Sequence, residues 1–139
     1  MEKKMNNKGF SLVELIIVVA IMAVLIGVLA PTYLKYVETS RRTSDCTSVG
    51  SILDACEVLA VDPNHTWATE TISFTGGVCS GASTALNDIT GCNGMELQAT
   101  WGDFTITATK GTTGEVTFTC TGSFVTDCAA YSDALANRF

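Results

Sequence analysis

The chain has 139 residues, 47% of them apolar, and a formal net charge of −6 at pH 7. That length supplies one small domain, and with 25 consecutive residues, 10–34, interrupted only by Ser11, Glu14, Gly27, Pro31 and Thr32, it excludes a plain cytosolic globule. Beyond Thr43 only Lys110 and Arg138 oppose eleven acidic residues, a balance that repels phosphate backbones, so no direct contact with nucleic acid is expected.

The N-terminal stretch has three basic residues, Lys3, Lys4 and Lys8, ahead of the apolar run. They favour a cytoplasmic N-terminus, although Lys35, Arg41 and Arg42 behind the run weaken that bias. A secretory signal peptide has a similar outline but fits poorly. The run is too long for a signal core, its small-residue exit at Ala30 is followed by Pro31, and Glu14 sits inside it. No second run approaches this length, so a single span is expected.

Lys8, Gly9, Phe10, Ser11, Leu12, Val13 and Glu14, followed directly by about 20 apolar residues, resemble the class III leader of type IV pilins and their pseudopilin relatives. The resemblance covers roughly residues 1–60 and is closest to the type IVa branch. It implies that residues 1–9 are a leader, that a membrane-embedded aspartyl peptidase cuts after Gly9 and methylates the new amine of Phe10, and that Glu14 becomes the fifth mature residue. It further implies helical homo-oligomers, an assembly platform and motor, and minor pilins as partners.

Physical chemistry makes this arrangement intelligible. An ionised carboxylate at the centre of an apolar span costs roughly 2.5–3.5 kcal/mol unless it meets a cation, and cutting after Gly9 creates one at Phe10. Glu14 of one subunit would pair with the Phe10 amine of its neighbour and set register in a filament core. A plainer reading also exists, because Ser11-x-x-Glu14 ahead of an apolar run is a capping box. Gly27 and Pro31 mark a weak point in the helix, since Pro31 lacks an N–H and crowds the carbonyl of Gly27. The family resemblance implies that 27–31 can lose helical order in a filament; a simple kink is the alternative.

Residues 10–34 are thus the transmembrane and assembly half of a helix, and 35–139 an acidic head. Cys46, Val49, Leu53, Cys56 and Ala60 recur at helical spacing, and Asp62-Pro63 ends the pattern near residue 61. Residues 63–94, with five glycines, read as a connecting region with a short strand at 71–75. Alternation predicts strands at 95–101, 104–110 and 115–121, a β-meander over about 95–121. The expected class is α+β, a long N-terminal helix packed on a small antiparallel sheet, as in the pilin fold. Residues 124–139 read as a tail folded against the sheet.

Six cysteines, Cys46, Cys56, Cys79, Cys92, Cys120 and Cys128, in an exported head read first as disulfides. Cys46 and Cys56 lie about 15 Å apart on one helix and cannot join each other. Local pairs Cys79–Cys92 and Cys120–Cys128 are candidates, the second resembling the C-terminal loop of many type IVa pilins; Cys56 bonded to a loop cysteine, and buried free thiols, stay open as alternatives. No Cys-x-x-Cys supports zinc, and the lone His65 follows Pro63-Asn64 in an expected loop. Asn64-His65-Thr66 is a formal sequon, and Trp67 and Trp101 read as core or core-edge residues. No cofactor, metal or catalytic group is expected.

The expected function is a structural subunit of a type IV pilus serving adhesion, twitching motility or biofilm, located first in the cytoplasmic membrane and then on the cell surface. Its cysteine-rich and threonine-rich head favours this over a pseudopilin of a type II secretion or DNA-uptake system. A membrane-anchored surface enzyme or binding protein is the distant alternative.

Overall fold

A computed structural model describes residues 9–66, 69–129, 135, 138 and 139. The chain divides into two compact units, Met1–Val37 and Glu38–Phe139. Helix α1 covers Leu12–Val61. In the first unit its side chains are exposed almost without exception, from Leu12 to Tyr36. It is long and apolar enough to cross a membrane.

The second unit is an α+β fold in which the C-terminal part of α1 packs on a four-stranded antiparallel sheet. The strands are β1 (Thr69–Thr75), β2 (Val78–Ser80), β3 (Phe104–Lys110) and β4 (Val116–Thr121), in the order β2-β1-β3-β4. The expected helical stripe is buried throughout, from Cys46, Val49 and Leu53 to Cys56 and Ala60. It meets the inward residues of the strands, Ile72, Phe74, Phe104, Ile106, Ala108 and Phe118. Strand alternation is the cause, since period-2 side chains put one apolar row inside and a Thr row outside. Phe104 lies between Phe74 and Phe124, with ring centroids 4.5 and 4.0 Å away.

Two expected elements differ. Residues 95–101 form no strand; an isolated bridge, Val78 to Glu96, ties them to β2. The N–H groups of Gln98 and Ala99 instead bond to the carboxylate of Asp45, so they cannot enter a ladder. The connecting region 63–94 is more ordered than expected. Gly76 and Gly77, with φ of 60° and 83°, make the tight turn between β1 and β2, a conformation only glycine adopts cheaply in succession. A short helix α2 (Thr84–Thr90) follows, capped by the Ser83 hydroxyl accepting from Leu86 N–H and ended by left-handed Gly91.

After β4 a short helix α3 (Phe124–Cys128) folds Phe124 into the core. Arg138 then bonds Asp54 and, at 3.0 Å, Glu57 on α1, and Leu135 is buried. Trp67 lies outside the described residues, as do Lys3, Lys4 and Lys8.

Candidate functional site

The candidate site of the first unit is built at the start of α1. Ser11 precedes the first helical residue, and its N–H donates to Glu14 Oε2 at 3.0 Å while its carbonyl accepts from Leu15 N–H at 3.3 Å. This is the return bond of a capping box, and it holds an acid near the positive helix end. Phe10 is 78% exposed, and a Cβ placed on Gly9 would meet nothing within 4 Å. Among the described residues, Gly9 and Phe10 thus lie directly before the helix with no side chain packed on them. Gly27 and Pro31 both lie within the continuous helix.

The head has no comparable chemical constellation among its described residues. An open groove of about 370 Å³ between α1 and α2 is lined by Ser48, Ser51, Ile52, Ala55, Ile89 and Met95. Its hydroxyls are turned back on their own helices, Ser48 to the Ser44 carbonyl and Ser51 to the Thr47 carbonyl. His65 keeps a buried Nε2 without a hydrogen-bond partner among the described residues.

The cysteines are arranged differently from the local pairing scheme. Cys79 bonds Cys92, whereas Cys128 bonds Cys46 on α1, not Cys120. Helix α3 is the reason: it carries Cys128 from the sheet edge into the buried core, where Cys46 is fully enclosed. Cys56 and Cys120 are free. Burial, with help from the Glu70 and Glu57 carboxylates, pushes the Cys56 thiol up to about 12. Burial also raises the Cys120 thiol, opposed by a hydrogen bond with the Val125 backbone.

A buried polar centre escaped the sequence reading. Asp45, 3% exposed, accepts three bonds of 2.8 Å, from Gln98 N–H to Oδ1 and from Ala99 N–H and Trp101 Nε1–H to Oδ2. The Arg42 guanidinium lies 4.9 Å from the centre of the Trp101 ring and bonds Glu38 at 3.0 Å. Asp45 thereby fixes the 97–101 segment to α1. The available signal was its position, since Asp45, Val49, Ile52 and Cys56 share one helical face.

Residues 4–30 match a family model described as the prokaryotic N-terminal methylation motif. That motif is the class III leader signature of type IV pilins and pseudopilins. No curated protein and no solved structure matches the chain.

Proposed function

We propose that the chain is the precursor of a structural subunit of a type IV pilus, cut between Gly9 and Phe10, methylated at the Phe10 amine and polymerised through α1. The observation that carries this reading is the methylation motif at 4–30 joined to an apolar run, 10–34, whose single carboxylate, Glu14, lies in the first turn of α1. In the precursor that carboxylate accepts a hydrogen bond from Ser11 N–H and has no cation among the described residues. Cleavage after Gly9 supplies one four residues away in sequence. A subunit moving out of lipid would exchange a charge poorly solvated by hydrocarbon for an ion pair with its neighbour, an exchange favoured by several kcal/mol of avoided desolvation (about 2.5–3.5 on insertion scales). N-methylation preserves the positive charge and so leaves the pair intact.

In this reading the membrane holds the subunit before assembly, the prepilin peptidase and methyltransferase, assembly platform, motor and minor pilins act on it, and the filament ends at the cell surface. Helical order between Gly27 and Pro31 would be the first to yield in the packed fibre, because Pro31 leaves the Gly27 carbonyl without its intrahelical donor. The acidic, disulfide-bonded head with its exposed Thr rows suits an exported fibre surface. A pseudopilin would share the leader and differ in lacking long surface fibres. Intact-mass measurement of the membrane-extracted protein tests the processing step. A mass beginning at methylated Phe10 is expected; an uncut chain beginning at Met1 would overturn the proposal, and loss of surface pili on gene deletion separates pilus from pseudopilus.

A further inference from the structure

The two edges of the sheet are treated differently. The outer side of β2 is closed by the chain itself: Cys79 N–H donates to the Met95 carbonyl at 2.8 Å, Gly94 N–H to the Cys79 carbonyl at 2.9 Å, and Leu97 N–H to the Gly77 carbonyl at 2.9 Å. Among the described residues the outer side of β4 has no such cover: no backbone group outside β3 bonds to the β4 backbone, the Val125 backbone meets the Cys120 thiol, and the Phe139 ring lies 6.2 Å from that of Phe118.

The groups left open can be named. Gly111 N–H donates to the Glu115 carbonyl at 2.7 Å, and the ladder continues in the same register through Thr109↔Thr117, Thr107↔Thr119 and Thr105↔Thr121. Bonded pairs alternate along an antiparallel ladder, so Thr117, Thr119 and Thr121 face β3 while the N–H and C=O of Val116, Phe118 and Cys120 point outward. Natural edges are blunted by Lys, Pro, bulges or extreme shortness. Val116–Thr121 has six residues, no charge, no Pro and a regular register.

We infer that β4 is a docking edge for β4 of a second copy of this chain, paired antiparallel with Phe118 opposite its own counterpart. That register bonds Val116 to Cys120 and Phe118 to Phe118 across the twofold axis and uses every outward group. It also sets Thr117 against Thr119 of the second copy. The same Thr–Thr pairing already joins β3 to β4, where the Thr117, Thr119 and Thr121 hydroxyls donate to the carbonyls of Thr109, Thr107 and Thr105. Charge selects the same place. Two heads rich in carboxylates repel over most of their surfaces, and β4 offers an uncharged approach. One six-residue strand pair buries less than a standard stable interface, so a single contact is weak and gains strength by repetition along a fibre. A twofold contact closes on itself and therefore joins one fibre to the next, or two unassembled chains, whether or not α1 polymerises.

The test uses the full chain in nanodiscs holding one copy each, followed by sedimentation over a concentration series. Wild type and Thr71→Lys, which alters β1 on the same sheet face, should form dimers, and Thr119→Lys should weaken association by about tenfold or more. A monomeric wild type, a dimer that survives Thr119→Lys, or equal loss in Thr71→Lys overturns the inference. Hydrogen exchange gives a second readout without substitution. The amides of Val116, Phe118 and Cys120 should gain protection as concentration rises, while those of Thr117, Thr119 and Thr121 are protected throughout; no gain at Val116, Phe118 and Cys120 refutes the pairing.

Discussion

Replacing Asp45 by Ala removes the acceptor of three 2.8 Å bonds at once. Two of the donors belong to buried residues, Ala99 at 7% and Trp101 at 9% exposure, and cannot regain water in the folded state. The Gln98 N–H is only partly buried and rehydrates more easily. Each stranded buried donor costs about 1–3 kcal/mol, so the expected loss is about 3–5 kcal/mol, in line with breaking a buried charged centre. Against a typical total of about 5–15 kcal/mol, that leaves the head folded but marginal. Asp45→Asn keeps one acceptor oxygen and turns an NH₂ towards a donor, so it should lose roughly half as much. Urea unfolding of the full chain in detergent, followed by near-ultraviolet circular dichroism of the head's packed aromatic rings, which Trp101→Phe retains in Phe74, Phe104 and Phe124, reads the change as a lower midpoint with an unchanged slope. Trp101→Phe supplies the control, because it keeps the ring beside Phe124 but deletes the Nε1 donor; its cost should shrink by about 1–2 kcal/mol in the Asp45→Ala background. Additive costs, or an Asp45→Ala loss below about 1 kcal/mol, would refute the account of Asp45 as the fastening of the 97–101 segment.

Proteolysis without reduction should release linked peptides containing Cys46 with Cys128 and Cys79 with Cys92; a Cys120–Cys128 link would contradict the structure. Because the Cys46–Cys128 bond spans 82 residues, Cys46→Ser should cost about 2–5 kcal/mol, measured by the same urea titration. The Cys56 thiol should resist iodoacetamide in the native protein near neutral pH. Its folded pKa of about 12 lies above the ordinary 9.0, so the folded state holds the proton more tightly; the resulting stability is complete below pH 9 and is lost as pH rises towards 12. Cys56→Ala should make the alkaline loss shallower, and an identical pH profile would count against the assignment. Glu14→Ala should leave membrane insertion intact, as carbonate extraction would show, while sharply reducing recovery in sheared filaments; normal recovery would remove the ion-pair argument.

The leader and the span were legible because their chemistry is local. Gly9, Phe10, Glu14 and the apolar run need no partner from elsewhere in the chain to be recognised, and helical spacing alone gave the buried stripe from Cys46 to Ala60. Period-2 alternation likewise located β3 and β4. It misled at 95–101, where an equally regular alternation was overridden by one carboxylate 53 residues earlier that captured the Gln98 N–H. The strand pattern describes what a segment can bury, and the tertiary structure decides which acceptor its backbone receives.

The same division separates the cysteines. Sequence supplied six thiols in the head and the exclusion of Cys46 with Cys56, because distance along a helix is fixed by its rise. Which sulfurs meet depended on α3, a turn of five residues whose direction is set by Phe124 stacking on Phe104. The sequence by itself thus determined the leader motif at its N-terminus and an apolar helix long enough to cross a membrane, since those properties follow from contiguous residues. Only the tertiary structure decided that Cys128 reaches Cys46, that Asp45 holds Trp101 and that β4 lies at the edge of the sheet, since each depends on residues brought together from distant parts of the chain.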